Sequence, residues 1–228
     1  MSRRPRIVIP GWMHHVTQRG NHKQTVFYSS IDRTAYLNLC AKYFRKYKIR
    51  LISYNLMSNH IHLAVIPESE SSLSNGIGQL HHDYAMWQNT KCNTDGHLWQ
   101  NRFYSIPIEE NRIKGVVGYI ELNPVRARMV KHAWDWEWSS ARAHITDCDP
   151  TGLLDMEFWK KRFKSKEWKV YLEQTADDEA IAEKIRYATM KGLFFGSEAT
   201  AIRLEWELGV QLRERKRGPK AKSTRPIN

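Results

Sequence analysis

The segment from residue 51 to residue 66, LISYNLMSNHIHLAVI, constrains the fold of this chain more than any other. Apolar and β-branched residues on both sides of a short polar turn at 57–59 predict the two strands of a hairpin. Side chains alternate between the faces of a strand, so His60 and His62 share one face while Ile61 lies on the other. Two imidazoles on one strand face can bind a single divalent metal ion. The alternative interpretation is a pair of hydrogen-bonded histidines in the core.

The hairpin belongs to a longer alternation of strands and helices. The predicted strands are residues 6–17, 49–56, 60–67 and 98–108. One helix is predicted to follow the N-cap residue Asp32, and a second helix is predicted to begin near Leu73. The order strand, helix, strand, strand, helix, strand is typical of the ferredoxin-like fold, an antiparallel sheet with two helices on one face. We therefore expect a chain of the α+β class.

Helical periodicity dominates after the last predicted strand. Glu109 opens a helix that carries Tyr119 and ends or kinks near Asn123, because Pro124 follows. Further helices are predicted at 155–174, 177–191 and 197–213. The chain is thus expected to contain a first domain at 1–150, a helical accessory region at 151–213 and a basic disordered tail at 214–228.

Positive charge is concentrated at the two ends of the chain. The net charge is +12, and residues 1–6 and 211–228 together carry +9 of it. Basic arms on a nearly neutral body favour contacts with nucleic-acid phosphates, although such arms can also serve solubility alone.

Cysteine usage and hydropathy indicate the compartment. Three cysteines without paired spacing argue against a disulfide framework or a cysteine zinc site and favour a reducing environment. No apolar run approaches the ~18 residues of a membrane span. We therefore expect a cytoplasmic protein, associated with the nucleoid if it binds DNA, and no contact with a membrane.

Tyr119 and Asn123 are four positions apart, so a helix places them on one face. The amide oxygen of Asn123 would be a third ligand for an ion held by His60 and His62. A free tyrosine has a pKa near ~10, so forming phenolate at pH 7 costs about 4 kcal/mol. A cation beside a phosphodiester lowers this cost and neutralises the charge that develops on its oxygens. The combination suits covalent phosphoryl transfer by a tyrosine.

Five motifs, in the same order, resemble those of the REP-associated tyrosine transposases. These belong to the single-tyrosine HUH nucleases, which are related to the transposases of small bacterial insertion sequences. The motifs are HVTQRGN at 15–21, LMSNHIHL at 56–63, HLWQNRF at 97–103, YIELNPVRA at 119–127 and WSS at 138–140. The resemblance covers residues about 5–145 and thins beyond about residue 150.

The resemblance implies that residues 1–150 form an HUH nuclease domain with a ferredoxin-like core. It implies a magnesium or manganese ion on His60 and His62, completed by Asn123, with Tyr119 as the nucleophile. The expected activity is that of a metal-dependent single-strand DNA endonuclease and strand transferase that cleaves beside a palindromic hairpin. Cleavage would leave a 5′-phosphotyrosine and a free 3′-OH. Because imidazole also suits zinc, the identity of the ion rests on the resemblance.

The candidates for holding DNA are His15, Arg19, Asn21, Arg102 and Arg126. Arg19 and Asn21 follow the first strand in a glycine-containing loop, where a backbone can approach a ligand closely. Arg102 lies among aromatic residues that suit stacking on unpaired bases. Arg126 follows the nucleophile's helix, and His15 belongs to the first of the five motifs. For each of them, the alternative is a solvated or ion-paired surface residue.

The expected partner is single-stranded, hairpin-forming DNA, bound by a monomer, with a homodimer as the alternative. Two other classes of protein remain open. A non-catalytic regulator would bind hairpin DNA, with the helices at 177–213 as a helix-turn-helix, and would cleave nothing in the presence of metal. A structural zinc protein would show a melting temperature that falls sharply when a chelator removes the metal.

Overall fold

The computed structural model of the protein describes residues 6–176 and 178–214. The strands are β1 (Met13–Arg19), β2 (Ile49–Leu56), β3 (His60–Pro67) and β4 (Tyr104–Ile108). The helices are α1 (Ser30–Lys46), α2 (Ser72–Cys92), α3 (Ile113–Glu121), α4 (Asn123–Arg126), α5 (Ala141–Thr146), α6 (Met156–Arg162), α7 (Ser165–Gln174), α8 (Glu179–Lys191) and α9 (Glu198–Leu208). In this described part of the chain, no helix combines the length and apolar character needed to cross a membrane.

The four strands form an antiparallel sheet in the order β2-β3-β1-β4. β1 therefore lies between β3 and β4, with Thr17 opposite His62 and Arg19 opposite His60. One crossover carries α1 and the other carries α2. This is the ferredoxin-like arrangement, so the α+β class expected from the sequence is confirmed.

One face of the sheet packs against α1 and α2. Val16, Ile61 and Leu63 extend from the strands into a core that also holds Tyr36 of α1 and Tyr84 of α2. Burying an apolar side chain of this size stabilises the fold by ~2–3 kcal/mol. The odd-numbered positions of β3 are thereby committed to this core, which leaves His60 and His62 on the opposite face.

The second face of the sheet is covered by later helices. Met13, Ile66 and Ile106 pack there against α3 and against Trp159 of α6 and Trp168 of α7. The alternate positions of these strands are apolar as well, as in a sheet that is buried on both faces. The predicted accessory region at 151–213 therefore shares a core with the residues before it.

Later segments cover both edges of the sheet. Leu154 forms a bridge with Leu51 on β2, and Phe195 forms a bridge with Ile108 on β4. The main-chain N–H of Phe195 donates to the carbonyl oxygen of Pro107 at 3.0 Å. These contacts pair backbone groups that an open edge would leave unsatisfied.

The start of α1 follows a capping box. Ser29, rather than the predicted Asp32, is the N-cap residue, and Asp32 occupies the third helical position. The main-chain N–H groups of Tyr28 and Ser29 donate to the Asp32 carboxylate at 2.6 and 3.0 Å. Asp32 thus satisfies orphan donors at the helix start from inside the first turn.

Several predicted boundaries are corrected by the structure. β1 begins at Met13 rather than at residue 6, and β4 begins at Tyr104 rather than at residue 98. The helix predicted at 155–174 is two helices, because Phe163 and Lys164 adopt extended backbone conformations.

The last predicted helix is also shorter than expected. It ends at Leu208, where Gly209 takes a left-handed conformation with φ of 64°. The predicted disordered tail begins at Glu214, and residues 215–228 lie outside the described residues.

Candidate active site

Most residues singled out in the sequence line one cavity of about 440 Å³ beside the second face of the sheet. The predicted site residues in it are His15, Arg19, His60, His62, Tyr119, Asn123 and Arg126. Asn21 and Arg102 line an adjoining groove instead. The fold therefore brings the proposed nucleophile and all three proposed metal ligands to the same place.

α3 holds Tyr119 against the sheet. Val116, Val117 and Ile120 are buried in the second core, and Gly118 lets a neighbouring ring approach the helix. A Cβ atom at Gly118 would lie 2.8 Å from Cε1 of Tyr171. The Tyr119 side chain is only 5% exposed, and its ring centroid is 5.4 Å from that of His62 in an edge-to-face arrangement. Tyr119 is thus packed closely beside the histidines.

His60 and His62 share one strand face, with ring centroids 5.1 Å apart. The Nδ1 atom of His60 lies 2.6 Å from Oδ1 of Asn59, and Nδ1 of His62 lies 2.9 Å from Nε2 of His15. Each histidine therefore uses Nδ1 for a hydrogen bond within the protein. The Nε2 atoms are therefore the nitrogens that could bind a metal ion, as in metal sites where an outer hydrogen bond fixes the ring.

Asn123 stands at the break that Pro124 imposes. α3 ends at Glu121, and α4 begins at Asn123 after a single intervening residue. The Nδ2 atom of Asn123 donates to the main-chain oxygens of Tyr119 at 2.9 Å and Ile120 at 3.3 Å. The amide nitrogen thus bonds to the helix, and the amide oxygen is the atom that could bind a metal ion.

The donor set suits a divalent ion. Burial lowers the pKa of His60 to about 4, with Arg19 acting in the same direction, and burial lowers the pKa of His62 well below its usual value. Both rings are therefore neutral at pH 7, as metal ligation requires. No group of three or more histidine, cysteine or carboxylate side chains in residues 6–176 and 178–214 is placed to hold a metal ion. A third protein ligand in this cavity would therefore be a neutral oxygen, and the Asn123 amide is the predicted one.

Tyr119 lies in a cationic environment. The guanidinium carbon of Arg126 is 4.7 Å from the centre of the Tyr119 ring, and Arg126 also donates to the main-chain oxygen of Tyr119. Burial raises the pKa of Tyr119 above its usual value, and Arg126, Arg186 and Arg19 offset only part of this rise. Burial lowers the pKa of Arg126 itself to about 10, so its charge is retained at pH 7. These cations favour a phenolate and the phosphate that it would attack.

His15 does not lie where a DNA-contacting residue would. It is 1% exposed, and Nδ1 lies 3.0 Å from Oγ1 of Thr189 while Nε2 faces Nδ1 of His62 at 2.9 Å. Both ring nitrogens are therefore engaged inside the protein. His15 thus contacts His62 and Thr189, and its proposed contact with DNA stays a prediction.

α8 supplies three cavity residues that the sequence patterns did not reveal. Arg186, Thr189 and Met190 line the cavity beside Tyr119. Only Thr189 is buried, and the Arg186 guanidinium forms an ion pair with Glu179 of the same helix. Helical periodicity indicated that α8 exists, but no local signal links it to a strand that begins more than 160 residues earlier.

The loop after β1 connects the cavity to the adjoining groove. The Asn21 N–H donates to the Leu98 oxygen at 2.8 Å, and the Gln100 N–H donates to the Arg19 oxygen at 2.9 Å. A Cβ atom at Gly20 would lie 2.3 Å from the main-chain oxygen of Gln24, so glycine is required there by close approach. The loop places Arg19 and Asn21 beside the segment that carries Arg102.

A buried polar network fixes the end of α3. Glu121 is fully buried and accepts hydrogen bonds from Ser140 Oγ at 2.5 Å and Trp168 Nε1 at 2.8 Å. Nδ1 of His144 lies 2.5 Å from the same carboxyl group. Glu121 thus ties the helix of the nucleophile to α5 and α7. Glu121 does not line the cavity.

Fold and site together define a ferredoxin-like protein in which paired strand histidines face a helix-borne tyrosine within a cationic cavity. Residues 9–123 match the family model described as IS200-like transposase. The chain belongs to the IS200-like transposase family, which confirms the resemblance drawn from the five sequence motifs at this level. It is accordingly a transposase-type protein.

Two solved structures are similar to this chain. A REP-associated tyrosine transposase bound to a REP hairpin aligns with a TM-score of 0.53 at 20% identity, over 68% of this chain and 90% of its own. A putative transposase from Deinococcus radiodurans R1 aligns with a TM-score of 0.38 at 13% identity, over 53% of this chain and 96% of its own. The first likeness supports the fold. Among curated proteins, none matches this sequence.

Proposed function

We propose that the protein is a metal-dependent single-strand DNA endonuclease and strand transferase that acts through a covalent 5′-phosphotyrosine. The observation that carries the proposal is the shared cavity: Tyr119 lies beside His62, and the donor atoms of His60, His62 and Asn123 line the same space. A regulator that only binds DNA has no need of a tyrosine placed against two neutral imidazoles.

His60, His62 and Asn123 would hold magnesium or manganese through two Nε2 atoms and one amide oxygen. When bound, the ion supplies Lewis-acid stabilisation of negative charge on the phosphoryl oxygens. The side chains keep their donor atoms in place without rearrangement, because Nδ1 of each histidine and Nδ2 of Asn123 are already hydrogen-bonded within the protein.

Tyr119 performs the covalent step. Its Oη atom attacks the scissile phosphorus and loses its proton, a P–Oη bond forms, and the P–O3′ bond breaks. The departing 3′ oxygen takes up a proton and becomes a free 3′-OH, while the 5′ phosphate remains on the tyrosine. Arg126 lies against the ring and favours its deprotonated form. The reverse reaction, with another 3′-OH as nucleophile, joins strands without an external energy source.

The substrate proposed is single-stranded DNA at the foot of a short palindromic hairpin. Arg19 and Arg126 line the cavity, while Asn21 and Arg102 line the adjoining groove. The two spaces share Gln18, Gln100 and Asn101 in their walls, so they are adjacent, and we propose that one strand occupies both. The similar structure named for a REP-associated transposase holds a REP hairpin, which supports a hairpin substrate for this chain as well.

The test uses wild type and Tyr119→Phe with end-labelled hairpin DNA, each incubated with magnesium, manganese or EDTA and run on a denaturing gel. We expect a metal-dependent band shifted by the mass of the protein for wild type and none for the variant, with equal hairpin binding. An undiminished adduct in the variant would exclude Tyr119 as the nucleophile. Tight binding of the hairpin without any adduct would favour a non-catalytic regulator.

A further inference from the structure

A chain of three buried side chains runs from the proposed metal site to α8. The Nδ1 atom of His62 lies 2.9 Å from Nε2 of His15, and Nδ1 of His15 lies 3.0 Å from Oγ1 of Thr189. The two imidazole rings are stacked at 8° with centroids 5.1 Å apart. All three residues are at most 5% exposed, so water does not compete for these hydrogen bonds.

The contact between two imidazoles restricts their tautomers. A neutral imidazole carries one N–H and one bare nitrogen, so exactly one of the two facing atoms donates. If His62 donates from Nδ1, its Nε2 is bare and can ligate a metal ion. His15 then accepts at Nε2 and donates from Nδ1 to the Thr189 oxygen. In the opposite arrangement His62 carries its proton on Nε2 and cannot bind metal through that atom.

We propose that His15 and Thr189 act as a positioning relay in which Nδ1 of His62 donates to His15 and Nδ1 of His15 donates to Thr189, so that Nε2 of His62 is bare and can bind the divalent ion. The inference rests on the proposed function, since it concerns the same metal site. His15 and Thr189 are positioning residues, because neither would touch the ion. Their roles come from a long-range contact, which no spacing in the sequence encodes.

The register of the sheet explains how His15 reaches His62. Thr17 is directly opposite His62, so His15, two residues earlier on the same face of β1, is its diagonal neighbour. Diagonal neighbours on adjacent strands are within reach of large side chains. The Nδ1 atom of His60 instead lies 2.6 Å from Oδ1 of Asn59, the residue before it. The two ligands are thus oriented by independent partners.

Thr189 reaches His15 because α8 is packed firmly against the second core. Ala182, Ile185 and Ala188 of α8 are buried there. A Cβ atom at Gly115 of α3 would lie 2.5 Å from Cδ1 of Ile181 in α8, which shows how closely the two helices approach. α8 lies beyond residues 9–123, which match the family model. A helix outside the matched region therefore contributes to the metal site.

The first test measures manganese affinity of the full chain by electron paramagnetic resonance in wild type, His15→Phe and His15→Gln. Phenylalanine removes the acceptor that faces His62, whereas the glutamine amide oxygen can replace it. We expect His15→Phe to weaken manganese binding by about 10–100-fold, the range typical of outer-sphere partners, and His15→Gln to restore most of it. Equal affinities in wild type and a folded His15→Phe protein would overturn the relay. Unfolding curves in urea establish whether each variant folds.

The second test keeps both histidines and changes only the end of the relay. Thr189→Val removes the hydroxyl at constant shape, and Thr189→Ser retains it. Nitrogen-15 NMR of metal-free protein should show His62 protonated on Nδ1 in wild type and Thr189→Ser, with a mixture of tautomers in Thr189→Val. The same single tautomer in all three proteins would overturn the role of Thr189. Failure of wild type to bind manganese would contradict the proposed function, while the NMR result would still decide the relay.

Discussion

At the scale of single residues, Arg126 is the cation that we expect to donate hydrogen bonds to the phosphate in the proposed reaction. Its guanidinium group lies over the Tyr119 ring and is largely removed from water. Charge placed in such a setting acts more strongly than on the surface, because solvent screening is reduced. Arg126 is thus suited both to favour the phenolate and to hold the phosphate that it attacks.

Arg126→Met should slow formation of the covalent adduct by about 100-fold, the loss typical when one preorganised donor is removed. Hairpin affinity should fall much less, because other cations still contact the strand. The measurement is single-turnover adduct formation at saturating DNA. Arg128→Met is the matched control, since Arg128 is exposed and does not line the cavity; it should change the rate little. Equal rates in the two variants would contradict the role of Arg126.

Glu121, two positions after Tyr119, accepts buried hydrogen bonds that join α3 to α5 and α7. Glu121→Ala leaves the buried donors of Ser140 and Trp168 without their acceptor, so we expect a loss of about 3–5 kcal/mol in the free energy of unfolding. Glu157→Ala removes an exposed carboxylate from a surface ion pair with Lys161 and should change stability by less than ~0.5 kcal/mol. Urea unfolding of both variants measures the difference, and similar midpoints would show that the network contributes little.

At the scale of elements, the end of β1 and the loop after it hold two residues that we propose to contact DNA, Arg19 and Asn21. The backbone between them is constrained at Gly20. Gly20→Ala would force a methyl group toward the Gln24 main-chain oxygen, and backbone cannot yield as a flexible side chain can. We expect hairpin affinity to fall at least about tenfold, corresponding to 1.4 kcal/mol, with Arg19 and Asn21 displaced.

Asn75→Ala is the control for this substitution. Asn75 is exposed on α2 and lines neither the cavity nor the adjoining groove. The alanine should stabilise the protein by about 0.5 kcal/mol, because alanine is a better helix residue than asparagine, and should leave DNA binding unchanged. Fluorescence anisotropy with labelled hairpin DNA measures both variants. Unchanged affinity in Gly20→Ala would show that the loop tolerates a shift or lies away from DNA.

The last two helices do not resemble a DNA-reading pair. α9 carries Glu198, Glu205 and Glu207 against Arg203 alone, so the helix that would enter the major groove is acidic. Phosphates would repel it. α8 in turn is buried along one face against α3 and the sheet. The helices at 177–213 are therefore better explained as part of the core and of the cavity than as a helix-turn-helix.

The sequence predicted the elements whose signals are local. The period of two in β3 placed His60 and His62 on one face, and the four-residue spacing placed Asn123 one turn after Tyr119. Pro124 marked the end of α3. The break at Phe163 and Lys164 was missed, because both residues are compatible with a helix and tertiary packing decides their conformation. The position of Thr189 against His15 was also missed, since it depends on how α8 crosses the sheet.

At the scale of the whole molecule, the stability of the fold should depend on pH through His14 and His81. Both are buried and neither is a proposed metal ligand. The Ile9 N–H donates to Nε2 of His14 at 3.2 Å, and His81 lies 3.0 Å from the Tyr36 hydroxyl. Burial lowers the pKa of His14 to about 4 and that of His81 to about 3. In the unfolded chain both pKa values return to about 6.5.

Below pH 6.5 the unfolded state therefore binds protons that the folded state does not, so acid destabilises the fold. The free energy of unfolding should be constant above that pH and fall by about 2 kcal/mol for each group at pH 5, on the scale of ~1.36 kcal/mol per pKa unit. Urea unfolding in EDTA between pH 7.5 and 5 measures this slope. His81→Phe should show a shallower slope, whatever its absolute stability. An unchanged slope would mean that His81 is protonated in the folded protein.

The hydrogen bond between Thr189 and His15 also means that metal binding should affect α8. Coupling between two binding equilibria is reciprocal. If docking of α8 raises metal affinity tenfold, occupancy of the metal site must stabilise the docked helix by 1.4 kcal/mol. Hydrogen exchange of the α8 amides should then slow when manganese is added. The C-terminal helices would in this way report, through their protection from solvent, whether the site at the centre of the sheet is filled.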